Sequence, residues 1–400
     1  MKNIFNNTGL LDRLKYEHFD VGLAEPNYIC PFALFEYLGI NKTMSIDSSA
    51  GLEGPKLAHG IPITSSFLSP VHSSMGSLDM GLSSRARNLV ESFMNYMMAS
   101  WLHRAELNGA RKIFPNVSNW KELFQKVSYH FVNSNSLIDF AGLSSPKFVQ
   151  IGGWSISENE RKSTKSMNLS QTILISFGSY AKDMLPEMKK SLIEIFTTMS
   201  ESTFLFEYDN EVDDIITRSN LGNLKLIESE TQALLSDRQV NVLMSHSLLD
   251  IANQAAFIGK PAILVPLFGD QVRNAKMLEK HGTVIVMMKK DLMNPSKILK
   301  ALKEILEHSE YQKRARDVSE KLRNQPENPK QKFLAHFNFV ARFGKPENLD
   351  SEANKLWTFQ YYHLDVYAVF LIIIGPVMFG TGKIVRLLLK QYTIRKVKTM

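Results

Sequence analysis

Between Thr172 and Met288 the chain alternates two kinds of segment, and this alternation limits the fold more than any other feature. "TILISFG", "TFLFEY", "VNVLMSH", "PAILVPL" and "TVIVMM" are short apolar runs rich in β-branched residues, as expected of strands buried on both faces. Between them lie "PEMKKSLIEIFTTM", with Pro in its first turn, "DIANQAAFI", and "QVRNAKMLEKHG", closed by Gly282. Their apolar spacing and length are helical. Strands separated by such helices imply a parallel sheet covered on both faces, a Rossmann-like α/β domain, whose ligands lie beyond the carboxyl ends of the strands.

The upstream part is less regular. "FDVGLAEP" predicts a short strand ending at an acid, and "ICPFALFEYLGI" a helix. "GIPITSSFLSPVHSSMGS" has the Pro, Ser and Gly density of a surface loop. "RARNLVESFMNYMMASWLHRAELNGARKIF" predicts a long amphipathic helix, with its Met and aromatic residues in the core. Downstream, residues 297–323 continue as charged amphipathic helix, and "NQPENPKQ" reads as a linker.

The net charge of +7 suggests a nucleic-acid partner until it is located. Lys383, Arg386, Lys390, Arg395, Lys396 and Lys398 supply +6 of it with no acid among them, and the rest of the chain is nearly balanced. A basic groove for nucleic acid is therefore not indicated. The single cysteine, Cys30, excludes an intramolecular disulfide and any cysteine-ligated cluster. Before the basic tail, Val366 to Gly382 contains no charged residue and follows the aromatics Trp357, Tyr361 and Tyr362. At about 1.5 Å per residue this segment just spans a bilayer core, and the positive-inside rule puts the tail in the cytosol. The start, "MKNIFNNTGLLDRLKYEHFD", has no apolar signal-peptide core, so the N-terminal part is expected to be incomplete. Without such a signal the helix could instead insert as a tail anchor, leaving the body in the cytosol.

Taken in order, "FDVGLAEP", "LISFGS", "LLSD" before a strand ending in His246, "GKPAILVPLFGDQVRNA" and "YYHLDVYAVF" make the chain resemble the membrane-bound animal UDP-glycosyltransferases, the UDP-glucuronosyltransferase family, from about Leu10 to the C-terminus. The resemblance implies GT-B architecture: two Rossmann-like domains, the first incomplete, plus a C-terminal transmembrane helix. The expected division is residues 1–165 for acceptor binding, 166–345 for the donor, 361–384 for the membrane helix and 385–400 for a cytosolic tail. The implied chemistry is inverting transfer of a hexose or glucuronic acid from a UDP-sugar to a hydroxyl of a small lipophilic acceptor. No metal and no cofactor beyond the donor are expected. A base deprotonates the acceptor, and the protein stabilises the departing diphosphate.

Residue by residue, Glu25 matches the acid that orients the family's catalytic His, while the His itself would lie upstream of Met1; His18 does not match it. The family's phosphate-binding His-x-Gly-x-Gly-Ser begins at His246 but has Leu248, Asp250 and Ile251 at the two Gly positions and the Ser position. Asp250 is expected at the helix N-cap, where its carboxylate would compete for the N–H groups that hold phosphate. Repulsion of about 4 kcal/mol at 4 Å, at an effective dielectric near 20, exceeds the roughly 0.3 to 2 kcal/mol an anion gains at a helix N-terminus. Gln254 replaces the ribose-binding acid, and the uracil-stacking positions fall on Glu228, Glu230 and Thr231. Ser179, His246, Asp270, Gln271 and Asn274 remain as donor-binding candidates, with Asp270 also suited to capping a helix.

The alternative reading is a catalytically impaired or truncated member that associates, as homo- or hetero-oligomer, with active relatives in the membrane. "KVKTM" places Lys396 and Lys398 in the spacing of a cytosolic KxKxx retrieval signal, and Asn6, Asn41, Asn116 and Asn168 each begin an Asn-x-Ser/Thr sequon. Both features point to the endoplasmic reticulum membrane, with the body lumenal.

Overall fold

A computed structural model describes residues 7–62, 64–73, 81–156, 171–208, 216, 219, 221–227, 234–236 and 239–398. The chain forms two compact units, Met1–Leu349 and Asp350–Met400.

The first unit begins with α1 (Thr8–Tyr16), β1 (Gly22–Ala24), α2 (Cys30–Leu38), β2 (Thr43–Asp47), α3 (Glu53–Ala58), α4 (Leu82–Arg111), α5 (Trp120–Lys126), β3 (His130–Val132) and β4 (Phe148–Gln150). The four strands form a parallel sheet in the order β1-β2-β3-β4. Local sequence explains the helix ends. Pro31 opens α2 and Gly39 closes it at φ 74°, a left-handed conformation that suits glycine. Asn119 and Glu122 form a reciprocal capping box on α5. Phe32, Leu107, Trp120 and Phe124 knit α2, α4 and α5 into one core.

The chain continues through β5 (Thr172–Ser176), α6 (Pro186–Thr198), β6 (Thr203–Glu207), β7 (Leu224–Ile227), β8 (Val240–Ser245), α7 (Leu249–Ile258), β9 (Ala262–Leu264), α8 (Gln271–Lys280), β10 (Val284–Val286), α9 (Pro295–Glu307) and α10 (Ser309–Arg323). These six strands are parallel in the order β10-β9-β8-β5-β6-β7. Numbered within this sheet, that is the doubly wound 3-2-1-4-5-6 arrangement. Alternate residues feed opposite faces. Ile173, Ile175, Phe204 and Phe206 pack with Leu192 and Phe196 on one side, and Leu174, Leu243 and Leu264 with Phe257 and Leu278 on the other. Both faces being covered is why the strands read as continuous apolar runs.

Three expectations change. The segment 297–323 is two helices, α9 and α10, broken at His308, whose ψ of 99° is extended. "NQPENPKQ" is a linker only in its first half. Asn328 caps and Pro329 opens α11 (Pro329–Phe343), whose Phe333, Phe337 and Val340 return to pack on Met44, Phe131 and Val149 of the first sheet. The Met and aromatic side chains of α4 do not enter the core. Phe93, Met94, Met97, Met98 and Trp101 are exposed, while Asn88, Ser92, Ser100 and His103 point inward.

The second unit holds α12 (Thr358–Tyr361) and α13 (Leu364–Lys398), the latter with Pro376 inside it. Within Leu364–Lys390 an 18-residue window has a mean hydropathy of 2.0 and none of it is buried, so among the described residues one helix is long and apolar enough to cross a membrane.

Candidate functional site

The six-stranded sheet reverses its winding between β5 and β8, and the crevice beyond those two strand ends is where doubly wound sheets bind ligands. Ser176 pairs in register with Ser245 there. After β5 the chain turns through Gly178, at φ 52°, into a 3-10 turn carrying exposed Ser179. After β8 come His246, Ser247 and Leu248. A Cβ at Gly178 would lie 3.5 Å from the His246 ring, so the two turns face each other.

His246 is buried, and burial holds its imidazole below the usual pKa; the Ser176 backbone and the Glu207 carboxylate pull the other way. Its Nδ1 meets no hydrogen-bond partner. Ser247 adopts φ 61°, a strained conformation for a non-glycine residue, and its buried Oγ is likewise unpartnered. Asn274, on α8, donates from Nδ2 to the Ser247 carbonyl at 3.2 Å and to Asp270 Oδ2 at 3.0 Å, and its Oδ1 is buried and unmatched. Unpaired buried polar atoms cost on the order of 1–3 kcal/mol each. Their clustering at a switch point fits a polar ligand.

The sequence-derived candidates are therefore partly assembled. Ser179, His246, Asp270 and Asn274 converge on the two strand ends. Asp270 is the N-cap residue of α8 but makes no side-chain cap bond. Gln271 is wholly buried, its Oε1 accepting from the backbone N–H of Leu267 at 2.8 Å and of Phe268 at 3.3 Å. Gln254 lies one turn beyond Asp250 on α7 and is buried. Glu228, Glu230 and Thr231 lie outside the described residues.

Asp250 is not the N-cap. Leu248 holds that position, without a side-chain cap bond, and Asp250 sits within the first turn of α7. Its exposed carboxylate accepts from Asn133 Nδ2 at 3.0 Å. Asn133 follows β3, so this bond joins the two sheets. Asn253 Nδ2 reinforces it by donating to the Asn133 carbonyl at 2.8 Å. The same Asn133 amide reaches the Ser48 carbonyl at 3.5 Å, and Ser48 Oγ donates to Glu25. Glu25, half-buried beyond β1, also accepts from Asn27 at 2.8 Å. A continuous polar chain thus runs from Glu25 to the start of α7.

Sequence reasoning missed Asn133 and Asn253 because neither belongs to a recognisable motif. It also missed Arg273, whose buried guanidinium donates to Asp139 at 2.7 Å and lies over the Phe140 ring. In the first half, Glu53, Lys56, Leu68, Ser69 and Ser92 line a cavity of about 50 Å³. That is far below the roughly 300 Å³ at which small-molecule pockets begin.

A family model described as "UDP-glucoronosyl and UDP-glucosyl transferase" matches residues 1–399. The chain belongs to this family. UDP-glucuronosyltransferase 2C1 of Oryctolagus cuniculus is 26% identical over 386 residues, covering 94% of this chain and 75% of that protein. The putative UDP-glucuronosyltransferase ugt-48 of Caenorhabditis elegans is 24% identical over 383 residues, covering 91% and 71%. Among solved structures, Os79 from O. sativa, in complex with UDP and deoxynivalenol-3-glucoside, aligns with a TM-score of 0.55 at 12% identity, covering 84% of this chain and 82% of that one. The glycotransferase of kitacinnamycin aligns equally well, at 16% identity, covering 84% and 81%. The fold is that of the GT-B glycosyltransferases, and the family uses UDP-sugar donors.

Proposed function

We propose that the chain binds a UDP-sugar at the β5/β8 switch point and transfers a hexose or glucuronic acid, with inversion, to a hydroxyl of a small lipophilic acceptor. The observation that carries this reading is the cluster of buried, unmatched polar atoms on His246, Ser247 and Asn274, next to exposed Ser179. Ser179 and the imidazole of His246 would meet the diphosphate, and Asp270 with Asn274 the sugar hydroxyls. In transfer, the acceptor oxygen forms a bond to the anomeric carbon as the bond from that carbon to the diphosphate oxygen breaks, and UDP departs with the electron pair. The acceptor proton passes to a base, which Glu25 would orient. Among the described residues, Glu25 accepts hydrogen bonds from Asn27 and Ser48.

A second reading, a catalytically impaired or truncated member that associates with active relatives in the membrane, is favoured by one feature. Asp250 brings a carboxylate to the first turn of α7 and is held there by Asn133. Calorimetry with UDP and conjugate formation from UDP-glucose or UDP-glucuronic acid with a panel of phenols separate the two readings. Binding lost in Asn274→Ala supports the site in both, and conjugate formation supports only the first.

For location, we infer an endoplasmic reticulum membrane protein anchored by α13, with its tail cytosolic and its body lumenal. Asn41 and Asn116 are exposed, as glycosylation requires; Asn6 and Asn168 lie outside the described residues. An endoglycosidase-sensitive mass shift lost in Asn41→Gln with Asn116→Gln tests the lumenal placement.

A further inference from the structure

The loop after α3 contains a turn that presents a single side chain. The backbone N–H of Ser73 closes this turn on the Pro70 carbonyl at 3.1 Å. Val71 donates its backbone N–H to the Glu53 carboxylate at 2.7 Å, and Ser73 Oγ donates to Glu91, also at 2.7 Å. Val71 and Ser73 are buried, at 2% and 1% exposure, while His72 between them is exposed. A turn clamped on both flanks gives its middle residue little freedom, so the imidazole is held in position before anything binds.

His72 faces the second half of the molecule at the sugar end of the proposed donor site. Gly269, at φ 63°, directly precedes Asp270. A Cβ added there would lie 3.9 Å from His72 Nδ1 and, its chain neighbours aside, within 4 Å of nothing else among the described residues. The space over Gly269 is therefore open, with His72 on one wall and the start of α8 on the other. Phe268, the residue before it, is exposed as well. Behind Asp270, the Oδ1 of Asn274 is fully buried and unmatched, a polar atom waiting for a partner.

Glucose and glucuronic acid differ only at C6, which is a hydroxymethyl group in one and a carboxylate in the other. Asp270 suits sugar hydroxyls, which donate to it, and opposes a second carboxylate. At 4 Å in water that repulsion weakens binding about fivefold. Arg273, in the first turn of α8, does not offset it, because its guanidinium is held by Asp139 at 2.7 Å. An imidazole N–H donating to a carboxylate contributes about tenfold or more, which exceeds the repulsion.

We propose that His72 is a specificity-determining residue of the donor site, donating to the C6 carboxylate of a UDP-linked hexuronic acid and so favouring glucuronic acid over glucose. The proposal rests on the donor-binding reading above and deepens it by naming the sugar and the residue that selects it.

The test is calorimetry on the detergent-solubilised full chain with UDP, UDP-glucose and UDP-glucuronic acid. The quantity read is the ratio of the two UDP-sugar affinities, to which the shared UDP contributes equally. His72→Ala should lower the preference for UDP-glucuronic acid about tenfold, with the affinity for UDP and the melting temperature unchanged, because the side chain is exposed and assigned to the sugar alone. His72→Lys, which supplies a cation at the same place, should keep the ratio at or above the wild-type value. An unchanged ratio in His72→Ala, or an equal weakening of UDP and both UDP-sugars, overturns the proposal and leaves the donor site standing. A ratio that falls as far in His72→Lys as in His72→Ala assigns the effect to shape instead of charge and likewise overturns it. Absence of UDP binding by the wild type overturns the donor site, and the proposal with it.

Discussion

The amide of Asn133 and the carboxylate of Asp250 meet at 3.0 Å although they stand 117 residues apart in the chain. Their bond ties the loop after β3 to the first turn of α7, where the family places backbone N–H groups around phosphate. Asp250 is exposed, so its repulsion of a bound diphosphate is close to the water limit of about 1 kcal/mol at 4 Å rather than the larger value of a shielded site.

Removing that charge should therefore tighten UDP by roughly fivefold. Calorimetry on Asp250→Gly combined with Ile251→Ser checks this. Asn133→Ala should not reproduce the gain, since it frees the carboxylate without removing it. Equal UDP affinity in the wild type and the double variant would move the obstacle to the base-stacking positions.

The Asp139–Arg273 pair is buried on both sides, at 5% exposure each. Asp139→Ala would leave a guanidinium without its counter-charge, at a cost of about 3–5 kcal/mol. Chemical denaturation of the detergent-solubilised chain should show this loss. The double variant Asp139→Ala with Arg273→Met should recover much of it, because the stranded charge is then gone.

Acidification should unfold the first half. Burial holds His103 at about 4 and His130 well below the ordinary value, and both sit around Phe124. Above pH 6.5 these rings are neutral in both folded and unfolded chains. Below it the unfolded chain takes up protons that the folded chain refuses, so stability falls with pH. For His103 the loss is about 1.4 kcal/mol per unit, or about 3 kcal/mol by pH 4. Melting temperatures between pH 7.5 and 4.5 should fall, and His103→Phe should flatten the slope.

Gly153 has φ 86°, and a Cβ there would lie 2.1 Å from the Phe257 ring. Phe257, on α7, is fully buried in the core, so its ring has little space to retreat. Gly153→Ala should destabilise by about 1–3 kcal/mol through overpacking and backbone strain. Phe257→Leu in the same chain should relieve part of that loss in a thermal melt.

The second sheet was legible because strands covered on both faces carry their signal locally, in runs such as Ile173–Ile175 and Val242–Met244. The first sheet was legible only at β1, inside "FDVGLAEP", since β3 and β4 span three residues each. β7 escaped notice for a related reason: "LKLI" is only partly buried and at the sheet edge. The outward stripe of α4 was misassigned because helical periodicity reports that one face differs from the other, not which faces the core. At the site, His246, Asp270 and Asn274 came from motif resemblance. Asn133 left no local trace, because its α7 partners Asp250 and Asn253 lie more than a hundred residues away.

The return of α11 onto the first sheet has a mechanical consequence. The backbone passes between the two sheets twice, once between β4 and β5 and again between α10 and α11. A body joined to another at one point can swivel freely, whereas one joined at two points is confined to rocking about the line through them. Any opening of the crevice at β5 and β8 is thus confined to about one degree of freedom, and a nick between Gln150 and Thr172 would leave two fragments still clasped through Phe333, Phe337 and Val340.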